Sequence, residues 1–163
     1  MKKVLFVVVL SLFMSSCSDD VVFNNPSVQG LMNNVFWRAL QSKATLSKDG
    51  TIAIEAVTLK ETLTLHLSST QVKTYVLDNN AIDYVSYTSR ETTPVTALTT
   101  QSRKGTGKIT ITEYDAIKKT ISGTFTFVIT YVSTDTQESK EFYFSQGVFY
   151  KVPVSPEVVT LVK

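Results

Sequence analysis

Apolar and polar side chains alternate along the C-terminal half of the chain, most regularly over residues 120–132. One side of this alternation consists of Ile121, Gly123, Phe125, Phe127, Ile129 and Tyr131. Such alternation gives a β-strand one face for a core and one face for water. Threonine, which favours strands, is frequent, and no stretch carries a sustained helical stripe. The pattern therefore predicts an all-β domain.

The same alternation predicts where the other strands lie. Alternating runs occupy 51–57, 61–68, 71–77, 81–88, 107–114 and 140–152, with a weaker run at 95–99. About eight to ten strands with short turns form an antiparallel sandwich or a closed or partly closed barrel, and both architectures bury the same faces. The runs from residue 107 onward predict an antiparallel C-terminal meander. Pro153 and Pro156 are expected to end its last strand, because proline cannot donate to a ladder.

Composition divides the chain into four parts. Residues 1–16 have the character of a signal peptide, and residues 17–35 mix Asn, Pro, Ser and Gly with scattered apolar residues. The second part is expected to be a flexible tether with one short helical turn near 28–34. The predicted β-domain covers 36–154. Residues 155–163 are expected to form a C-terminal tail or an edge strand.

The first residues of the chain have the features of a secretory signal. Lys2 and Lys3 give a positively charged start, and residues 4–13 are almost wholly apolar. Small residues follow and lead to Cys17, the only cysteine of the chain. The apolar run is shorter than the roughly 20 residues that a membrane-spanning helix needs. Residues 1–16 are therefore predicted to be removed after export.

The segment Met14-Ser15-Ser16-Cys17 resembles the lipobox of bacterial lipoproteins. The resemblance implies that the Cys17 thiol carries diacylglycerol and that its amino group, exposed by cleavage, is acylated with a fatty acid such as palmitate. Several acyl chains hold a protein on a membrane far more firmly than one. Ser18, Asp19 and Asp20 resemble the acidic export signal of Bacteroidota surface lipoproteins, which implies an outer-membrane protein displayed on the cell surface. A periplasm-facing anchor with a solvated Ser–Asp tether is the alternative.

Charge and cysteine content argue against several function classes. The chain has 16 basic and 14 acidic residues, and the two signs balance once Lys2 and Lys3 are removed. A balanced surface exerts no long-range attraction on nucleic acid. With Cys17 lipidated, no thiol remains for a disulfide, a metal or a nucleophile. The single histidine, His66, lies on the polar face of a predicted strand, so neither a metal site nor a cofactor is predicted.

No constellation in the sequence names a reaction. A G-x-S-x-G nucleophile elbow is missing. Glu113 and Asp115 share a face at a strand end and resemble the paired carboxylates that hydrolyse glycosides, but a turn-forming acid beside a solvated one explains them equally well. The chain is therefore predicted not to be an enzyme. A carboxylate-based hydrolase is the weakest alternative.

Three aromatic residues are predicted as ligand contacts, namely Trp37, Tyr84 and Tyr87. Trp37 is expected to cap one end of the core with its indole N–H satisfied at the rim, while an outward ring would stack on a sugar. The expected function is a non-catalytic binding or interaction module for a glycan or an envelope protein. A barrel that carries a small apolar molecule is the alternative, given the many inward aliphatic and aromatic side chains.

The segments GKITITEYDAIKKTISGTFTF (107–127) and QGVFYKVPV (146–154) resemble an uncharacterised family of small β-rich Bacteroidota lipoproteins, a domain-of-unknown-function family. The matching residues are Gly107, Ile109, Thr110, Ile111, Thr112, Asp115, Lys119, Thr120, Ile121, Ser122, Gly123, Thr124, Phe125, Gly147, Phe149, Val152 and Pro153. FWRA (36–39), DGTIAIEA (49–56) and TYVL (74–77) fit more loosely. The resemblance implies a β-rich fold outside the cytoplasm and supplies no catalytic residues.

Overall fold

The computed structural model describes residues 27–77, 82–91, 96–101, 105–132 and 139–157. These ranges form eleven strands: β1 (Ser27–Met32), β2 (Val35–Arg38), β3 (Gln41–Leu46), β4 (Ile52–Val57), β5 (Glu61–Leu67), β6 (Thr74–Val76), β7 (Tyr84–Ser89), β8 (Thr96–Thr99), β9 (Gly105–Asp115), β10 (Thr120–Val132) and β11 (Ser139–Pro156). The described ranges contain no helix, and therefore none that would be long and apolar enough to span a bilayer. The predicted all-β class is confirmed, with slightly more strands than expected.

All eleven strands belong to one curled sheet that forms an open half-barrel. The hydrogen-bonded order is β6-β9-β10-β11-β3-β4-β5-β7-β8, while β1 pairs with β11 and β2. The choice between sandwich and barrel is thus resolved in favour of a partly closed barrel. The meander β9–β10–β11 is confirmed. One pair departs from the antiparallel pattern, because the end of β11 lies parallel to β3, with Val154 opposite Ala44.

Strand β11 joins the two halves of the sheet and bends twice to do so. Gln146 and Lys151 have positive φ angles of 51° and 47°. The register between β10 and β11 shifts beside each of them. Such β-bulges add one residue to a strand and increase its local twist. The two bulges explain how a single strand pairs with β10 and β1 and then with β3.

Three glycines of the meander each lie directly opposite a phenylalanine. The pairs are Gly107 with Phe127, Gly123 with Phe149, and Gly147 with Phe125. A methyl group at Gly123 would overlap the carbonyl oxygen of Thr110 and the ring of Phe149. At Gly123 and Gly147, glycine therefore leaves the space that the opposite ring fills, an arrangement found where sheets curve, while at Gly107 a methyl group would meet the Thr126 carbonyl oxygen and the Cα and Cβ atoms of Phe127. Part of the family resemblance thus serves the packing of the curved meander, namely Gly107, Gly123, Phe125, Gly147 and Phe149.

The predicted tether over 17–35 is wrong at its C-terminal end, and so is the helical turn near 28–34. Residues 27–32 form β1, which lies between β2 and β11, with Val28 buried in the core. A turn at Asn33 and Asn34 with φ angles of 49° and 65° connects β1 to β2. Two positive φ angles are typical of the tight turns that match the twist of a hairpin. The folded domain therefore begins at least nine residues earlier than residue 36, at Ser27.

Of the two prolines expected to end the last strand, Pro153 does not end it and Pro156 does. Strand β11 continues to Pro156, because the Val154 amide donates to the Lys119 carbonyl at 2.8 Å and the strand then pairs with β3. A proline is tolerated in a strand where its register position requires no donor. Residues 155 and 156 thus belong to the domain. The rest of the predicted tail, from residue 158, lies outside the described residues.

Aromatic rings fill the centre of the half-barrel. Phe127 and Phe144 stack with their centroids 4.7 Å apart. Trp37 and Tyr87 each contact Phe144 from the other strands, with centroids 5.9 Å apart. Aromatic pairs at these distances add to the free energy gained by burial. This part of the interior is therefore a packed core.

The strand directions give the half-barrel two distinct ends. The β3–β4 turn and the β9–β10 turn lie at one end, which we call the Thr51 end, since β11 runs antiparallel to β10 and parallel to β3. The β4–β5 turn lies at the other end of β4 and β5, the Leu59 end. The start of β1 lies close to the Leu59 end, because Gln29 pairs with Arg38, the Ala39 amide donates to the Val28 carbonyl at 2.9 Å, and the Leu40 amide donates to the Val57 carbonyl at 2.9 Å.

Candidate functional site

A carboxylate at the Leu59 end connects three strands. Glu61, the first residue of β5, accepts a hydrogen bond from the Trp37 indole N–H on Oε2 at 2.6 Å. The Tyr87 hydroxyl donates to Oε1 at 2.6 Å, and the Thr58 hydroxyl lies 3.4 Å from Oε2. Hydrogen bonds to an ionised acceptor are shorter and stronger than neutral ones. Glu61 is thereby held in one position by buried donors from β2 and β7.

The protonation of Tyr87 maintains this arrangement. Burial, followed by the hydrogen bond to Glu61 and the negative charge of that carboxylate, raises the pKa of Tyr87 well above its usual value of 10.0. Each of these effects disfavours a phenolate next to a carboxylate. Tyr87 consequently remains a hydrogen-bond donor at any physiological pH.

Glu61 also lines an open surface groove of about 340 Å³, which we call the Glu61 groove. Its other lining residues are Arg38, Leu40, Thr58, Leu59, Lys60 and Glu91. Leu40 and Leu59 are 67% and 85% exposed. Lys60 pairs with Glu91 at 2.7 Å on the rim. An apolar surface beside a fixed acceptor with spare lone pairs suits a ligand that has both an apolar part and a hydrogen-bond donor.

The structure brings two of the three predicted ligand-contact residues together, but their rings are buried and do not form a ligand-binding surface. Trp37 and Tyr87 meet at Glu61, and both rings are buried, with 5% and 3% exposure. The interpretation of these two rings as direct stacking surfaces is therefore corrected: the core covers their faces, and they position Glu61 instead. The expected hydrogen bond of the Trp37 indole at the rim is present.

Three residues of the Glu61 groove carried little signal in the sequence. The pair Lys60-Glu61 lies between two alternating runs, where the sequence predicts only a tight connection or a bulge. Leu40 and Leu59 each lie just outside a strand, where alternation assigns no face. Two leucines in connecting segments next to charged residues were the available sign of an exposed apolar patch.

The third predicted contact, Tyr84, lies on the outer face of the sheet near the Thr51 end. Its ring stacks on His66, with centroids 4.1 Å apart and an interplanar angle of 12°. His66 Nε2 lies 3.3 Å from the Ser86 hydroxyl. The rings line a groove of about 300 Å³, the His66 groove, together with Ser47, Thr51, Ile52, Ala53, Leu67 and Ile82. Ligand contact at Tyr84 stays a prediction.

Burial lowers the pKa of His66 from its usual value of 6.5. Desolvation disfavours the imidazolium form, so the ring is neutral at pH 7. The His66–Tyr84 pair is thus an uncharged aromatic surface with hydroxyl groups beside it. Such a surface can stack on an apolar ring face and offer hydrogen bonds at its edge.

Glu113 and Asp115, the carboxylates considered for glycoside hydrolysis, lie at the β9–β10 turn, and Asp115 stabilises that turn. Asp115 Oδ1 accepts hydrogen bonds from the amides of Ile117 and Lys118 at 3.0 and 2.8 Å. These bonds, with the nearby Lys118 ammonium, lower the pKa of Asp115. Asp115 therefore shapes the β9–β10 turn, and Glu113 is exposed beside it. Within the described ranges, no three His, Cys, Asp or Glu side chains converge on a position where a metal ion would fit.

Fold and grooves together define a class of protein, an all-β half-barrel domain with open grooves at both ends of its strands. The chain belongs to the family described as Domain of unknown function (DUF6252), whose family model matches residues 24–153. No curated protein and no solved structure matches the chain significantly. The match covers β1, in agreement with the earlier start of the domain, and confirms the resemblance to an uncharacterised family.

The predicted lipidation and export residues cannot be placed beside these grooves. Cys17, Ser18, Asp19 and Asp20 lie outside the described residues. The lipoprotein character, the Bacteroidota origin and the cell-surface location therefore stay predictions from the sequence.

Proposed function

We propose that this protein is a lipid-anchored, non-catalytic recognition module of the cell envelope, held on the outer membrane by Cys17 and displayed at the cell surface. Its partner is an envelope protein or a glycan, bound in the Glu61 groove. The observation that carries the proposal is the exposed pair Leu40 and Leu59 beside a carboxylate that Trp37 and Tyr87 hold in place. An apolar centre with a polar rim is the usual anatomy of a binding site.

A binding role accounts for the groove carboxylates better than the hydrolase alternative does. Hydrolysis of a glycoside needs one free acid and one free base or nucleophile. Glu61 accepts from Trp37 and Tyr87, and Glu91 pairs with Lys60. The packed rings around Phe144 give the carrier alternative no support in the centre of the half-barrel.

Binding to arrays of envelope proteins and glycans tests the proposed site. With the mature chain from Cys17 as the probe, Leu59→Ser is expected to weaken binding by about tenfold or more, since one apolar anchor often contributes that much. Ile117→Ser is the matched control, because this isoleucine is equally exposed at the other end of the domain. A wild-type chain that binds nothing, or a Leu59→Ser variant that binds as well as wild type, contradicts the proposal.

The same arrays test a second candidate function, stacking of a sugar ring in the His66 groove. The specific observation is the neutral His66–Tyr84 stack with the Ser86 hydroxyl beside it. Under this alternative, Tyr84→Ala abolishes glycan binding and Leu59→Ser leaves it unchanged. The two grooves are thereby distinguished by one pair of variants.

The lipid anchor is tested separately by metabolic labelling with palmitate. Cells that express the full chain are expected to yield a labelled protein, and Cys17→Ser removes the label because no other thiol is present. An unlabelled wild-type protein contradicts the anchor. Antibody access on intact cells then distinguishes surface display from the periplasm-facing alternative.

A further inference from the structure

We propose that the Glu61 groove takes an extended peptide segment of a partner protein, which adds as a strand to the unpaired edge of β2 and places an acidic residue opposite Arg38. This inference rests on the proposed function and makes it more specific, since it chooses a protein segment over a glycan. The groove lies at the end of that edge, because Arg38 and Leu40 line it.

Strand β2 leaves one of its two edges unpaired. Among the described residues, it pairs with β1 alone. The Ala39 amide donates to a carbonyl of β1, and the Leu40 amide donates to a carbonyl of β4, both at 2.9 Å. Because the backbone groups of successive residues in a strand point to opposite sides, those of Phe36 and Arg38 point away from β1, to the same side as Leu40. Both residues therefore present an amide and a carbonyl to a further strand.

The turn after β4 explains why this edge is unpaired. Strand β4 ends at Val57, and the chain turns through residues 58–60 into β5. A strand added to β2 would therefore lie end to end with β4, with its near end beside Leu59. Strand addition is a common mode of peptide recognition, in which main-chain hydrogen bonds give affinity and side-chain contacts give specificity.

Both faces of β2 carry an exposed apolar side chain next to this edge. Phe36 is 64% exposed on the outer face, and Val35 is 67% exposed on the face that it shares with the buried Trp37. Edge strands are usually protected from pairing by charged side chains, but β2 has one charged residue among its four. An added strand would cover apolar surface on both of its own faces.

Arg38 selects among the peptides that could pair in this way. Its side chain is exposed, and the ion pairs of the described residues use other cations, namely Lys43, Lys60 and Lys118. Opposite charges on directly opposed residues of neighbouring strands stabilise the pairing, and like charges destabilise it. The preferred peptide has an acidic residue opposite Arg38 and an apolar residue two positions along, opposite Phe36. A second copy of β2, with the sequence VFWR, supplies no such acid.

Selection from a random peptide library displayed on phage tests this preference, with the mature chain from Cys17 as the bait. The wild type is expected to enrich peptides in which an acidic residue lies two positions from an apolar one. Arg38→Glu is expected to enrich basic residues instead and to weaken the acidic peptides about tenfold, because the charge pair becomes repulsive. Lys108→Glu is the matched control, since this exposed lysine lies on β9 between β6 and β10 and borders no unpaired edge. It should select the same peptides as the wild type.

Amide hydrogen exchange followed by NMR tests the backbone pairing on the wild-type chain. A selected peptide at about ten times its Kd is expected to slow the exchange of the Phe36 and Arg38 amides about tenfold, since only the peptide-free fraction exchanges. The amides of Val35 and Trp37 already face β1 and are expected to change little. They serve as internal controls.

The outcomes separate the strand addition from the proposed function. The absence of enriched peptides, the same selection by Arg38→Glu as by the wild type, or unprotected Phe36 and Arg38 amides each overturns it. A dimer in sedimentation that protects these two amides without peptide also overturns it, because the occupant is then a second copy. Leu59-dependent glycan binding without peptide binding overturns it and leaves the proposed function standing. Peptide binding that protects both amides but is unaffected by Leu59→Ser supports strand addition and contradicts only the proposed groove.

Discussion

Replacing Gly123 by alanine is expected to destabilise the domain by about 3 kcal/mol or more, at the upper end of the range for overpacked cores. The added methyl group would overlap the Thr110 carbonyl oxygen on β9 and the Phe149 ring on β11. The carbonyl belongs to the backbone of a central ladder, so it can move only if β9 moves. Urea unfolding followed by far-UV circular dichroism measures the loss as a lower midpoint.

Two variants make this prediction specific to the glycine–phenylalanine pairs. Thr124→Ala changes the neighbouring residue on the exposed face of β10 and is expected to cost less than about 0.5 kcal/mol. At Gly147 the three atoms nearest to the added methyl group all belong to the side chain of Phe125. Phe125→Leu should therefore partly rescue Gly147→Ala, whereas Phe149→Leu should not rescue Gly123→Ala. Equal rescue at both positions would contradict the role given to the Thr110 carbonyl.

The meander could be predicted because its alternation is strict. Strands β9 to β11 each place one face in the core and one in water, and no residue in them favours a helix over that pattern. The curvature could not be predicted, because it depends on bulges at Gln146 and Lys151. Neither residue type normally signals a positive φ angle, unlike glycine or asparagine. The choice between sandwich and half-barrel therefore required the structure.

Strand β1 was missed for a related reason. Only Val28 and Gly30 face the core from it, so its alternation is short. Its pairing with β11 joins residues such as Ser27 and Tyr150 that are far apart in the chain. Sequence periodicity reports a face, and it contains no information on which distant strand covers that face.

The candidate site shows the same limit of sequence periodicity, which does not tell which distant residues meet. Trp37 was predicted to satisfy its indole at the rim of the core, but its partner Glu61 depends on how β2 meets β5 across the half-barrel. Tyr84 and Tyr87 differ by an odd number of positions in one strand, so their side chains must point to opposite faces. Alternation could show this opposition, while only the assembled sheet shows that Tyr87 is the inward one.

Glu61→Ala is expected to destabilise the domain by about 3 kcal/mol. The substitution leaves the Trp37 N–H and the Tyr87 O–H without an acceptor, and each buried donor without a partner costs about 1–3 kcal/mol. Glu61→Gln should cost roughly half as much, because its amide carbonyl keeps an acceptor for one donor while its NH₂ group faces the other. Urea unfolding followed by far-UV circular dichroism measures both variants, since the change alters the surroundings of the only tryptophan.

The matched control is Glu55→Ala, which removes an exposed carboxylate paired with Lys43 at 3.1 Å. Exposed pairs of this kind contribute less than about 1 kcal/mol. A double-mutant cycle with Tyr87→Phe isolates the hydrogen bond, because Glu61→Ala then leaves one donor unpaired instead of two, and its cost should fall by about 1 kcal/mol or more. If Glu61→Ala costs no more than Glu55→Ala, Trp37 and Tyr87 do not depend on this carboxylate, and a rigid acceptor can no longer be the basis of the Glu61 groove.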